Sequence, residues 1–281
     1  MPTATLPPTA TPTPRPTPTP VPPVTPVGQS GDWSLIFSDD FNGAGLNTQK
    51  WQTCYWWDKH GCTIVTNNEL EWYQPDNVLL RNGALQLQAQ QRRVDASNGN
   101  TYAYTSGMIT SGRATSNTAR PVKFTFTYGY AEIRAKVPRG QGLWPAFWLL
   151  PADHSSRPEI DVMEIIGDEP RVVNLRFHYP ADGEGGDVGG SWTGPDFSQG
   201  WHTFAIDWRP ASLVWYVDGV ERWRYEDQAH IPSGPMYLLA NLAVGGDWPG
   251  PPDATTQFPS SYQIDYVRVW KTGRAASQAT G

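Results

Sequence analysis

The 281-residue sequence has no apolar run approaching the roughly 20 residues that a membrane-spanning helix needs, so we expect no such helix in it. It also lacks a basic cluster: its 21 Lys and Arg residues are scattered, and the net charge is −6. This charge pattern argues against nucleic acid and strongly anionic polymers as partners. We therefore expect a monomer that binds neither nucleic acid nor a membrane.

Residues 1–30 have almost no apolar side chains to bury. Eleven of the 27 prolines and eight threonines lie in residues 1–28. Such a tract adopts an extended polyproline conformation and is typical of a linker outside the cell. We predict a disordered linker at 1–30, one folded domain at 31–272 and a flexible tail at 273–281. No export signal precedes the tract in this sequence. We expect a secreted protein whose export signal lies upstream.

The chain has only two cysteines, Cys54 and Cys62, which are close enough in sequence to close a short loop. In an oxidising compartment such a bridge stabilises a domain by about 2–3 kcal/mol. The alternative is two free buried thiols. The Pro/Thr tract points outside the cell and favours the disulfide.

No segment shows a sustained apolar stripe of period 3.6, as a helix would, whereas segments with the alternating pattern of a β-strand are frequent. Residues 123–137 alternate, with a change of phase near Gly129 that indicates a bend or bulge. Two hairpins are predicted, at 213–225 around Asp218 and Gly219 and at 77–89 around Asn82 and Gly83. Many short strands joined by Gly, Pro and Asn turns predict an all-β fold, an antiparallel β-sandwich or jelly roll.

Residues 159–164 (Glu-Ile-Asp-Val-Met-Glu) place three acids among apolar residues, which is costly in a sheet unless the carboxylates are paired or used. A helix would set Glu159 and Glu164 about 140° apart. A regular strand would point Glu164 away from Glu159 and Asp161, but one extra residue near 162 or 163, a β-bulge, would return it to their face. The carboxyl groups could then approach the roughly 5–5.5 Å of a retaining glycosidase.

Two other interpretations of the three acids remain open. They could form an exposed acidic edge that deters strand pairing. They could also bind Ca²⁺, for which three hard carboxylates without a nearby histidine are suited.

Residues 159–164 resemble the active-site strand of family 16 glycoside hydrolases, in the longer form typical of laminarinase-like members. Residues 142–151 (Gly-Leu-Trp-Pro-Ala-Phe-Trp-Leu-Leu-Pro) resemble the strand that precedes it, and residues 241–250 (Asn-Leu-Ala-Val-Gly-Gly-Asp-Trp-Pro-Gly) a late cleft strand and loop. Residues 67–73 resemble a segment near the family's N-terminus, although Glu71 stands where Gln is common.

The resemblance implies catalytic roles for four residues. Glu159 would be the nucleophile and Glu164 the acid and base. Asp161 would hold or share a proton with the nucleophile, and His178 would lie beside the acid/base.

The resemblance also implies a sugar platform and a calcium site. The expected substrate-binding residues are Trp144, Trp148, Trp248, Asn67, Glu69 and Arg134, with Trp56 and Trp57 in an early loop. Catalysis would need no cofactor, but a structural Ca²⁺ would be bound by Asp40, Gly83 and Asp265. The acidic segment 182–187 lacks the spacing of an EF-hand and is predicted to be a flexible flap or solvated turn.

These observations predict an endo-acting, retaining hydrolase of β-1,3-glucan, with mixed β-1,3/1,4-glucan as a further substrate. A transglycosylase and a hydrolase of another β-linked polysaccharide on the same scaffold are alternatives. A non-catalytic sugar-binding jelly roll is a third, but it would have no need for Glu159 and Glu164.

Overall fold

In the computed structural model, the described residues are 24–55, 61–113, 120–153, 155–180 and 185–273. They form 18 strands. These are β1 Trp33–Asp39, β2 Glu71–Tyr73, β3 Val78–Arg81, β4 Ala84–Ala89, β5 Val94–Asp95, β6 Thr101–Tyr102, β7 Tyr104–Ser106, β8 Met108–Thr110, β9 Gly129–Lys136, β10 Leu143–Pro151, β11 Glu159–Glu164, β12 Val172–Tyr179, β13 Gly186–Thr193, β14 His202–Arg209, β15 Ser212–Val217, β16 Val220–Tyr225, β17 Met236–Val244 and β18 Ser260–Thr272.

Two large antiparallel sheets confirm the predicted β-sandwich. The eight-stranded sheet has the order β16-β15-β14-β9-β18-β4-β3, with β1 also paired to β18. The six-stranded sheet has the order β13-β12-β11-β10-β17-β8. Small pairs, β2 with β7 and β5 with β6, complete the described strands.

Within the described ranges, helical structure is confined to two 3-10 turns, Val65–Asn67 and Pro75–Asn77. No helix in the described part of the chain is long and apolar enough to cross a membrane.

The core lies between the sheets and is formed by alternate residues of each strand. Ala131, Ile133 and Ala135 of β9 face it from one sheet, and Phe147 and Leu149 of β10 face it from the other. Because successive side chains of a strand point to opposite faces, the residues between them lie on the outer faces of the sandwich. This alternation assigns each polar residue to one of two surfaces.

The predicted turns and bend are found. Asp218 and Gly219 join β15 to β16, and Asn82 and Gly83 join β3 to β4, all with the positive φ of a two-residue hairpin turn. The regular strand predicted from residue 123 begins only at Gly129, whose φ of 140° follows the bend. Before Gly129, Phe126 makes an isolated bridge to Met236.

Cys54 and Cys62 form a disulfide, as predicted. Trp56 and Trp57, between them, lie outside the described residues, as do residues 1–23 and 274–281.

The last residues of the predicted linker contact the eight-stranded sheet. Trp270 Nε1 donates to the Val24 carbonyl at 2.7 Å, and Val27 N donates to Glu132 Oε2 at 3.2 Å. Gly28 packs so closely on Gly219 that an added Cβ would lie 2.8 Å from its Cα. Among the described residues, contact with the domain is therefore already made at Val24, inside the predicted linker.

Candidate active site

A cleft of about 430 Å³ opens on the outer face of the six-stranded sheet. Residues of β10, β11, β12 and β17 line it, together with residues of the segment before β2 and of the loop after β17. The residues lining it are Ile64, Asn67, Glu69, Trp144, Ala146, Trp148, Glu159, Asp161, Glu164, Arg176, His178, Asn241 and Trp248.

Strand β11 carries the predicted bulge. Asp161 pairs with Arg176 and Glu164 with Asn174, so two residues of β11 stand opposite one residue of β12. These two residues, Val162 and Met163, are both buried in the core. The bulge thereby returns Glu164 to the face of Glu159 and Asp161, and all three carboxyl groups line the cleft.

The bulge is supported from the opposite sheet. The indole Nε1 of the fully buried Trp215 donates to the Asp161 carbonyl at 2.8 Å. A bulge interrupts the ladder and leaves backbone groups to be satisfied elsewhere. Sequence reasoning missed Trp215, because nothing in its own segment distinguishes it from an ordinary core tryptophan.

The two glutamates differ in the charges around them. Burial, followed by the charge of Asp161, raises the pKa of Glu159 to about 8, while His178 and Arg157 act in the opposite direction. Burial and the same aspartate also raise the pKa of Glu164 well above its ordinary value. Trp144 Nε1 donates to Glu164 Oε1 at 3.1 Å. With two cations acting on it, Glu159 is the better placed to ionise, and Glu164 to keep its proton.

His178 is placed beside Asp161 rather than beside Glu164, which corrects the expected location. It stands opposite Glu159 in the β11–β12 register, and its Nε2 lies 3.0 Å from Asp161 Oδ2. The contact with Asp161 raises the pKa of His178 to about 9, although partial burial opposes this. An imidazolium therefore faces the row of carboxyl groups.

Asp187 was predicted to belong to a flap or solvated turn, and this is wrong. It lies in β13 opposite His178, and its Oδ1 is 2.5 Å from His178 Nδ1. Residues 181–184 lie outside the described residues.

The three predicted tryptophans differ in exposure. Trp248 is 44% exposed and packs edge-on against Trp144, with ring centroids 5.2 Å apart. Trp148 is buried, and its Nε1 donates to Asn241 Oδ1 at 2.8 Å. Trp144 and Trp248 can therefore offer ring surface to a sugar, while Trp148 forms part of the floor.

A second pair of acids, Glu69 and Glu71, lies at the cleft. Glu69 lines it, accepting from Asn67 Nδ2 at 3.0 Å, and is hydrogen-bonded to the fully buried Glu71. Glu71 Oε2 accepts from Val244 N at 2.7 Å. Burial is the main cause that raises the pKa of both carboxyl groups, so the pair retains a proton.

Arg134 does not lie in the cleft. It follows the core residue Ile133 on β9 and therefore points to the outer face of the eight-stranded sheet, where its Nη1 lies 2.6 Å from Asp265 Oδ2. The prediction of Arg134 as a substrate ligand is wrong, because the phase of β9 puts it on the opposite side of the molecule.

The expected calcium residues meet on that same outer side. The register sets the end of β1 and the start of β4 against adjacent parts of β18, which brings Asp40 and Gly83 near Asp265. Asp265 pairs with Arg134, and Asp40 Oδ1 lies 2.7 Å from Arg268. Backbone carbonyls with one carboxylate suit calcium, but the ion would have to compete with Arg134 for Asp265.

One group in the described part of the chain has the spacing of a metal site. Atoms of Glu159, Asp161 and His178 lie within 4.8 Å of one another. Because His178 is held between two carboxylates, we interpret the group as an arrangement for placing charge and protons.

Comparison with known proteins identifies the family of this chain. The sequence model of glycosyl hydrolases family 16 matches residues 66–268. The endo-1,3-1,4-beta-glycanase EglC of Rhizobium meliloti is 35% identical over 249 residues, or 83% of this chain and 51% of that protein. The beta-glucanase of Rhodothermus marinus is 33% identical over 264 residues, covering 85% of each.

Among solved structures, the laminarinase catalytic domain of Thermotoga maritima aligns with a TM-score of 0.75 and 34% identity. The match covers 86% of this chain and 99% of that one. The chain spans about half the length of the rhizobial relative.

Proposed function

The chain belongs to glycosyl hydrolases family 16, and we propose that it is a retaining endo-glucanase that cleaves β-1,3-glucan. The observation that carries the proposal is the bulge of β11, which sets Glu159 and Glu164 on one face of the cleft with Asp161 between them. Both acids come from one short strand, which favours the close spacing of a double-displacement enzyme over the wider spacing of an inverting one.

In the first step, the Glu159 carboxylate attacks the anomeric carbon while Glu164 donates its proton to the departing glycosidic oxygen. A glycosyl-enzyme ester forms and the acceptor sugar leaves. In the second step, Glu164, now a carboxylate, takes a proton from water, whose oxygen attacks the anomeric carbon and releases Glu159. The reaction needs no cofactor. Trp144 holds the Glu164 carboxyl group by its indole N–H.

The proposed substrate is a laminarin-type β-1,3-glucan, with mixed β-1,3/1,4-glucan as a second one. Relatives named for both linkages and a laminarinase neighbour support this choice. Trp144 and Trp248 would pack against the apolar faces of the sugar rings, while Asn67 and Glu69 would bind hydroxyl groups. Transglycosylation is the main alternative, because a second sugar can replace water in the second step.

The proposal also covers the location of the enzyme, its oligomeric state and a structural calcium ion. The Pro/Thr tract and the disulfide support secretion, and we propose that the protein acts as a monomer outside the cell. A structural calcium would be bound by the carbonyl groups of Asp40 and Gly83 and by the Asp265 carboxylate. It would tie β1, β4 and β18 together on the side away from the cleft.

Chemical rescue tests the two roles. Glu159→Ala and Glu164→Ala should each lower turnover by at least about 10³-fold, while Glu226→Ala, an exposed glutamate paired with Arg224, should not. With an activated β-glucoside donor and external azide, the Glu159 variant should give the α-azide and the Glu164 variant the β-azide. Swapped products would reverse the roles, and near-normal activity of either variant would remove that residue from the mechanism.

The substrate is tested separately with laminarin, mixed-linkage glucan, agarose and xyloglucan, by release of reducing sugar. The proposal predicts the highest kcat/KM on laminarin. Preference for agarose or xyloglucan would contradict the assigned substrate without affecting the assignment of the two glutamates.

A further inference from the structure

His178 lies between two carboxylates that come from different strands. Its Nε2 is 3.0 Å from Asp161 Oδ2 on β11, and its Nδ1 is 2.5 Å from Asp187 Oδ1 on β13. Both ring nitrogens are therefore engaged, which fixes the plane of the ring. An imidazole can satisfy two carboxylates at once only as the imidazolium, because the neutral ring carries a single N–H.

Arg157 holds the outer carboxylate. Its Nη1 lies 2.9 Å from Asp187 Oδ1 and donates to the Gly186 carbonyl at 3.0 Å. Gly185 packs directly on the guanidinium, since an added Cβ would lie 2.7 Å from Nη1. Arg157 comes just before β11, so the contact ties the start of β13 to the strand that carries the three acids.

The result is a chain of alternating charge, Asp161–His178–Asp187–Arg157, that runs from the cleft floor to its rim. The charged groups facing His178 are Asp161 and Glu159 from β11, Asp187 from β13, and Arg157 through Asp187. Arg176, two residues before His178 on β12, also lines the cleft. Asp187 is the only acid of the set outside β11.

We propose that Asp187, held by Arg157, is a positioning residue for the hydrolysis: it keeps the His178 imidazolium pressed against Asp161. This inference rests on the proposed function of Glu159 and Glu164. The positive charge of His178 acts on both glutamates and favours their ionised forms. A charged and immobile His178 thereby keeps the nucleophile available, although the imidazole itself contacts Asp161 rather than the sugar.

The test compares Asp187→Asn, Asp187→Ala and Asp187→Glu with the parent protein. A matched control is Asp196→Asn, since Asp196 also faces an arginine, Arg139, at 3.4 Å but lies outside the cleft lining. Two readouts are used. One is the pH profile of kcat/KM on laminarin. The other is the NMR titration of the His178 ring, whose signals are assigned by their disappearance in His178→Gln.

For the parent protein, we expect the His178 ring to titrate near pH 9. Asp187→Asn and Asp187→Ala should lower that midpoint by about 0.5–1 unit. Because a less firmly held cation favours the Glu159 carboxylate less, they should also move the acidic limb of kcat/KM to higher pH. Asp187→Glu should restore much of both shifts, and Asp196→Asn should change neither.

A parent-like ring titration and pH profile in both Asp187→Asn and Asp187→Ala would overturn the proposal, even if the melting temperature fell. The ring titration needs no substrate. A lowered midpoint in a protein that does not cleave glucan would therefore count against the proposed function but not against the role of Asp187 on His178.

Discussion

Replacing Glu71 by Gln should stabilise the protein, although Glu71 is fully buried and hydrogen-bonded. Its carboxyl group contacts that of Glu69, and Thr63 Oγ1 lies 3.3 Å from Glu71 Oε1. No described ion pair includes either glutamate, and the groups that act on their pKa include no cation. Two such carboxyls cannot both ionise without a large cost, so the folded protein must keep a proton there at neutral pH.

The magnitude follows from linkage. Burial raises the pKa of Glu71 in the folded state above its ordinary value of 4.5, so the stability contributed by the bound proton is complete at low pH and is lost as pH rises. Each pH unit above 4.5 costs about 1.4 kcal/mol while the folded protein holds the proton. At pH 6 the loss is about 2 kcal/mol. An amide avoids it, because Gln can accept from Val244 N–H and donate to Glu69, as the protonated acid does.

Thermal unfolding between pH 4 and 7 measures the effect. Glu71→Gln should match the parent protein near pH 4 and melt about 4–8 °C higher at pH 6, with a gap that widens as pH rises. Glu226→Gln, at an exposed carboxyl paired with Arg224, is the control and should show no such divergence. A Glu71→Gln protein that melts lower at pH 6, or a gap independent of pH, would refute the shared proton.

Three further predictions concern other parts of the molecule. Deletion of residues 1–23 should leave the melting temperature unchanged. Deletion of 1–28 should lower it by several degrees, because this deletion removes the contacts of Val24 and Val27. Equal melting temperatures would show that those contacts contribute nothing to stability. Calcium added after chelation should raise the melting temperature, because at a hundredfold excess over Kd it adds about 2–3 kcal/mol to the free energy of unfolding. Asp265→Asn should abolish the rise, and no response in the parent protein would dismiss the calcium site. Trp248→Ala should raise KM for laminarin several-fold with little change in melting temperature, since its ring is 44% exposed; an unchanged KM would remove it from the sugar platform.

The active-site strand was predictable because its constraint is local. Three acids within six residues of otherwise apolar sequence could share one face of a strand only through a bulge. The register shift between Asp161 and Glu164 lies at the position that this spacing predicts. The turns at Asn82 and Asp218 were predictable for the same reason, since a two-residue hairpin demands positive φ of particular residues.

Other features depend on contacts between distant segments, and there sequence reasoning failed. Asp187 meets His178 only because β12 and β13 pair in one register, and an acidic, glycine-rich segment gives no sign of that register. Arg134 was assigned to the cleft because the alternation of β9 points it outward but does not say which of the two outer faces carries the cleft. Trp215 supports the bulge from the opposite sheet, a contact that no local pattern encodes.

The stereochemistry of hydrolysis tests the central claim most directly. Two carboxyl groups confined to one bulged strand should lack room for an ordered water on the far side of the sugar ring, so Glu159 itself must attack the anomeric carbon. Proton NMR of laminarin digestion at early times should then show the β-anomer of the new reducing ends first, with the α-anomer appearing only through mutarotation. Appearance of the α-anomer first would mean direct attack by water and would contradict the double displacement.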